Sequence, residues 1–316
     1  MKSGAFIVPT GIGASIGGFA GDASCYARKF AQTDKLIVNP NVVNAGCFSG
    51  ITNNMLYVEG YSLDEFFKGN LCLKECSNNK IGVIFDKGIS EGILNVHINT
   101  INAVKTVYGI DILGWDITDE NVRVEFYVAS SGISTGRIAN IETILHSAKR
   151  LIHRGAEAIA IVCRFEDYEC DDYSNGIGVD PVGGVEAVIS HYISKELKIP
   201  CAHSPAFEDI ETEQRLVDAR CSAEYITPTY LPCILIGLSQ APQLSTQGIS
   251  VNDLDYLLMP YNSMGSIPVF EAAKKNIPIY AVKENKTVLD VTAEKLNIEC
   301  ISVNTYDEAF ELIHKS

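Results

Sequence analysis

Short apolar runs alternate with stretches of helical periodicity along this chain, and that alternation narrows the fold more than any single motif does. Apolar residues recurring every three to four positions mark a helix with one packed face. Short apolar runs bounded by turn residues mark buried strands. The first half reads as strands at 5–8, 35–38, 80–85 and 122–128, with helices at 23–32 and 95–108. In the latter, Val96, Ile101, Val104 and Tyr108 are expected to share a face. The second half reads as helix 141–154, stopped by Gly155, then strand 158–163, helix 182–197 behind Pro181, and strand 199–203. Strands at 254–259, 278–282 and 298–303 follow, interleaved with helices at 268–276 and 306–314. Such an order predicts an α/β fold with largely parallel, Rossmann-like sheets and helices on both faces. Ligands in these folds sit beyond the carboxyl ends of the strands, so function is sought in the loops there.

Length and composition set outer limits. With 316 residues, 47% apolar and 20% charged, the chain can bury a sizeable core. A formal charge of −14 argues against binding nucleic acid phosphates or anionic membranes, though a local positive site for an anion remains compatible with it. A change of character near Ser130 suggests an N-terminal α/β domain over 1–129 and a C-terminal one over 130–316, or one compact unit. Ten cysteines are scattered through apolar segments without a CxxC pair, which points to reduced, packed thiols and to no metal site. Residues 4–20 carry too many glycines for a signal helix, and no run is long enough to span a bilayer; a cytoplasmic location is expected. A homo-oligomer is compatible with all of this, and no cofactor is specified.

Six loops hold candidate chemistry. The first runs from Gly11 to Asp22. Gly11, Gly13, Gly17 and Gly18 would let backbone amides approach a ligand, with Asp22 closing the turn, but the spacing is neither a dinucleotide fingerprint nor a P-loop. Asn41 and Asn44 follow a strand and could orient a polar ligand or simply form a turn. Ser130, Ser131 and Thr135 lie between a strand and a helix, suited to carboxylate or phosphate recognition or to plain capping. Arg164 ends a buried strand, where a guanidinium can pair with an anion. Asp180 enters a helix, as a cap or as an acid/base partner. Glu186 and His191 on that helix lie about 140° apart and do not suit a shared ligand. His203, two residues after Cys201 and on the same side of a strand, is the leading acid/base candidate, because imidazole titrates near neutrality. Cys233 could serve beside it as a nucleophile or be a packed thiol. Asn262, Ser263, Gly265 and Ser266 precede a helix and, with residues 281–285, resemble the donor-binding half of nucleotide-sugar transferases over a short stretch.

Longer motifs carry a wider resemblance. IVPTGIGASIGGFAGDA, NPNVVNAG, LYVEGY, GAEAIAIVCRF, GVDPVGGVEAVISH, IPCAHSPA and LPCILIGLS, spread over nearly the whole chain, resemble the domain-of-unknown-function family 3326. The resemblance implies a soluble, single-unit α/β protein and transfers no activity to these residues. From the residues, the leading expectation is an enzyme acting on a small anionic carboxylate or phosphate metabolite by acid/base chemistry, as an isomerase, lyase or hydrolase. A transferase binding a nucleotide or sugar phosphate and a non-catalytic metabolite-binding protein are the alternatives.

Overall fold

The computed structural model describes residues 1–19, 21–165, 173–208, 210 and 212–315. Its centre is a six-stranded, fully parallel sheet in the order Ile301–Val303, Ile279–Val282, Tyr256–Pro260, Ser3–Phe6, Lys35–Val38 and Met55–Tyr57. Numbered by its own strands, this is the doubly wound order 3-2-1-4-5-6, which reverses between Ser3–Phe6 and Tyr256–Pro260. A second parallel sheet runs Cys201–Ala206, Ala158–Arg164, Ile81–Phe85 and Ile112–Ile117. All of it is inserted between the third and fourth strands of the first. Neither sheet respects a boundary at 129/130, since each takes strands from both sides of it.

Side-chain alternation along the strands explains the layers. On the six-stranded sheet, Phe6, Val8, Leu36 and Val38 face one side, with Phe30 and Tyr306 from helices Ser24–Ala31 and Tyr306–His314. Ala5, Ile7, Ile37 and Leu257 face the other, under Phe66, Phe67, Val269 and Ala272 from helices Gly60–Lys68 and Ile267–Lys274. On the four-stranded sheet, Ile159, Ile161 and Cys201 meet helices Glu142–His153 and Gly183–Leu197. Val83, Ala160, Val162 and Ala202 meet helices Glu91–Tyr108 and Leu231–Ser239. The last helix is shared: its Leu231, Ile234, Leu235 and Leu238 belong to a core continuous with the first sheet. Gly237 lets it close on Tyr57, because a Cβ there would lie 2.7 Å from the ring.

Several elements differ from the sequence reading. Helix Glu91–Tyr108 buries Ile93, His97, Ile101 and Val104, while Tyr108 is exposed; the true face starts one turn earlier. Residues 130–135 do not link a strand to a helix. They are the turn and outgoing strand of an antiparallel hairpin, Val124–Val128 with Ser134–Ile138. His203 lies in the middle of strand Cys201–Ala206 and not at a strand end. The outer strand Ile112–Ile117 is closed to further pairing by Arg150 and Arg154, which donate to the carbonyls of Ile117 and Trp115 at 3.1 and 3.3 Å. The nine described cysteines are free thiols, four of them fully buried, and Cys170 lies outside the described residues. Among the described residues, no helix is long and apolar enough to cross a membrane.

Candidate functional site

The glycine-rich first loop is bonded to the protein on every side. Ser15 donates its amide to the Lys286 carbonyl at 2.7 Å, and Ile16 donates to Asn285 Oδ1 at 3.0 Å. The Gly17 amide donates to Asp22 Oδ1. Val288 donates to the Ile12 carbonyl, and Ser134 to that of Gly11, both at 2.9 Å. Gly13 has φ +55°, and a Cβ on it would stand 2.7 Å from the Gly178 carbonyl. Gly18 folds tightly back over Ala14. These glycines therefore allow close packing of four loops, and the amides of residues 15–17 are already engaged. Asp22 keeps one buried oxygen, Oδ2, without a partner; burial pushes its pKa up to about 7 against the pull of the Gly17 amide and Arg220. Ala20 lies outside the described residues.

Several of the other candidates have partners within the fold. Asn41 donates to the Pro9 carbonyl at 3.1 Å, and Asn44 donates to the Tyr57 hydroxyl at 3.2 Å while its Oδ1 has none. Ser130 and Ser131 are exposed at the hairpin tip, and Thr135 pairs with Tyr127 in the ladder. Asn262 clamps residues 287–289 through three hydrogen bonds. Ser263 donates to the Pro260 carbonyl at 3.2 Å, Gly265 lies against Val291, and Ser266 Oγ is buried and unpartnered. Arg164 forms an ion pair with Glu208 at 3.2 Å. It pairs across the ladder with Ala206, whereas His203 pairs with Ile161, so the two side chains face opposite sides of the sheet. Asp180 accepts from the Val182 amide at 3.0 Å and from Gly183, at the entry to the Gly183–Leu197 helix. Cys233 donates to the Tyr230 carbonyl, and burial pushes its thiol up to about 12. No hydrogen bond or ion pair among the described residues joins it to His203.

His203 instead joins two residues that sequence reasoning missed. Ser190, on helix Gly183–Leu197, places its Oγ 2.9 Å from His203 Nδ1 and 2.7 Å from Glu59 Oε2. Glu59 comes from the other sheet: it follows strand Met55–Tyr57 at the start of helix Gly60–Lys68. Glu59 and His203 are themselves 3.7 Å apart. The edge strands of the two sheets thus meet here, and between them lies a cavity of about 10 Å³ lined by Tyr57, Glu59, Ser62, Cys201 and Leu238, the size of one water. Glu186 sits one turn before Ser190 on the same helix face, and Ser194 one turn after, its Oγ 3.4 Å from that of Ser62. This polar stripe at i, i+4, i+8 was the available sequence signal, hidden beside the apolar run of Val185, Ile189 and Ile193.

Burial sets the protonation of the group. It pushes Glu59 up to about 8 despite the Ser190 hydroxyl, and pushes His203 down to about 4. Glu186 is raised well above the usual range, first by burial and then by Asp180 and Glu59. Between about pH 4 and 8 the Glu59–His203 pair therefore holds one proton, and the Ser190 hydroxyl can accept from one partner while donating to the other. His203 Nε2 makes no hydrogen bond among the described residues, and the side chain is 15% exposed. The line thus has a closed carboxyl end and an open imidazole end. Among the described residues, no three His, Cys, Asp or Glu side chains are placed to hold a metal ion.

Comparison with known proteins follows the whole chain. A family model described as "Protein of unknown function (DUF3326)" matches residues 3–315. An uncharacterized lipoprotein of Synechococcus sp. is 37% identical over 314 residues, covering 96% of this chain and 87% of that protein. No solved structure matches.

Proposed function

This chain belongs to the protein family of unknown function DUF3326, and we propose that it is an acid/base enzyme in which His203 exchanges protons with a small metabolite. The supporting observation is the serine-bridged line from buried Glu59 through Ser190 to His203, with Nε2 left open. At pH 7 the neutral imidazole can give its Nε2 proton to the substrate while the protonated Glu59 carboxyl returns one to Nδ1 by way of Ser190, leaving Glu59 ionised until a proton is taken back at Nε2. Isomerisation, elimination and hydrolysis each need such a transfer. The acids around the line do not favour an anionic group there, and Arg164 is on the other face and neutralised by Glu208. The chemistry is therefore proposed without requiring an anionic reacting group. An aqueous, cytoplasmic location goes with this reading. The Synechococcus relative is named a lipoprotein, and fractionation with and without detergent separates a free protein from a lipid-anchored one.

Pooled metabolites serve as the probe, so the substrate is found by the same test that measures its turnover. The pools are incubated with the protein in D₂O and read by mass spectrometry for deuterium incorporation and for new products. Wild type is expected to turn over one component, and His203→Ala to lose about 10²- to 10⁴-fold of that rate. Undiminished turnover by His203→Ala sinks the proposal, and binding without turnover favours a metabolite-binding protein.

A second reading has its own support. The strand order reverses between Ser3–Phe6 and Tyr256–Pro260, the place where doubly wound sheets bind nucleotides, and the unpartnered Ser266 Oγ lies near that end. A transferase taking a nucleotide or sugar phosphate there predicts thermal stabilisation by nucleotides, and no shift at millimolar nucleotide rejects it.

A further inference from the structure

Glu186 is 4% exposed, and its Oε1 has no hydrogen-bond partner among the described residues. The charged groups that act on it are Asp180 and Glu59, both acids. Among the described residues, neither Glu186 nor Asp180 belongs to any ion pair, and Glu59 has only His203. Glu59 Oε1 is likewise buried and unpartnered. Three carboxyls thus share a region whose own residues supply one imidazole as the sole basic partner, and two of them hold an oxygen ready to accept. A buried carboxylate without a partner is costly, so such an arrangement is stabilised when something brings positive charge and N–H donors to it.

We propose that Glu186, with Asp180 beside it, is the recognition subsite for a protonated amine carried by the metabolite. The inference rests on the acid/base reading of the neighbouring His203 and names the substrate class for it. An ammonium group is compact, singly charged and has three donors, enough for the lone Glu186 Oε1 and for acceptors beside it, Asp180 adding its charge. A divalent metal needs several ligands at fixed geometry, which the described residues do not provide. Tyr230 lies within electrostatic reach of both Asp180 and Glu186, and a tyrosine ring is a favourable wall for an organic cation. The half-buried Asp180 and the partly exposed His203 mark where the cluster meets the surface. The amine would be held by the helix entry while the reacting carbon or heteroatom faces Nε2.

The test measures thermal shifts of the full chain with ethylammonium and 1,4-diaminobutane. Tetraethylammonium, potassium chloride, magnesium and zinc serve as controls, on wild type, Glu186→Gln and His203→Ala. A saturable rise of about 3 °C with the primary amines is expected for wild type and His203→Ala, and none for Glu186→Gln. Should Glu186→Gln not fold, Asp180→Asn replaces it, with a reduced rise expected. No rise with either amine, an equal rise in Glu186→Gln, or a rise confined to the metals overturns the subsite. If the amines fail while proton exchange still depends on His203, only the subsite falls. If exchange fails while amine binding still depends on Glu186, the enzyme reading falls and the binding site stands.

Discussion

The crevice at the strand reversal of the large sheet and the junction where the two sheets meet are both polar, yet their backbones and side chains are bonded to different degrees. At the crevice, the first loop is tied to residues 284–288 and to Ser134, and Asn262 ties down 287–289. At the junction, two buried glutamates each keep an oxygen with nothing to bind among the described residues, beside an imidazole whose Nε2 makes no hydrogen bond among them. Glycines and asparagines make a loop look like a ligand cradle, but the same groups satisfy one another when loops stack. Unmet hydrogen-bonding capacity in a buried place marks the junction more than composition does, although Asp22 Oδ2 and Ser266 Oγ leave some at the crevice as well.

Three substitutions test that contrast. The largest effect belongs to the packed wall. A Cβ on Gly184 would stand 1.9 Å from the Ser134 carbonyl, a backbone atom that cannot swing away. Gly184→Ala is therefore expected to cost about 3 kcal/mol or more in denaturant unfolding; a loss under about 0.5 kcal/mol would show that the wall is loose. At the junction, the folded protein keeps a proton on Glu59 up to about pH 8 that the unfolded chain releases near 4.5. Stability contributed by that group is complete below pH 4.5 and is lost as pH rises towards 8. From pH 4 to 6.5 His203 works the other way, since its pKa is lowered to about 4. The window from 6.5 to 8 thus isolates the acids, and stability should fall there by about 1 kcal/mol per pH unit for each buried proton. Glu59→Gln removes one such contribution, so its unfolding free energy should decline less steeply; an unchanged slope means Glu59 does not hold the proton. The smallest effect is at the hairpin tip: Ser131→Ala should change stability by less than about 0.5 kcal/mol and leave any turnover intact, because the residue is exposed.

The layered α/β class was legible because each apolar run carries its own period. Lys35–Val38 and Tyr306–His314 are read with their observed limits, and the family resemblance drawn from the motifs is matched over residues 3–315. Met55–Tyr57 was missed because three residues are too few to show alternation. Leu231–Ser239 was missed because a helix buried nearly all round has little apolar periodicity to read. At the junction, His203 was legible as a titratable residue on a strand. Glu59 was not, since its contact with Ser190 spans 131 residues of sequence and no local pattern encodes it.

The insertion of one sheet into the other also sets the order in which strands become available during synthesis. Among the strands of the outer sheet Ser3–Phe6 is made before the others, yet its neighbour Tyr256–Pro260 follows some 250 residues later, with Gly4 opposite Tyr256. The inserted sheet has all its strands once residue 206 has emerged, so it can form while the outer sheet still waits for its second half. During that interval Ser3–Phe6 lacks the neighbour that pairs with it on that side in the folded protein. Such an edge is the part of a nascent chain that needs shielding. Closing that edge is the longest-range strand pairing in the outer sheet.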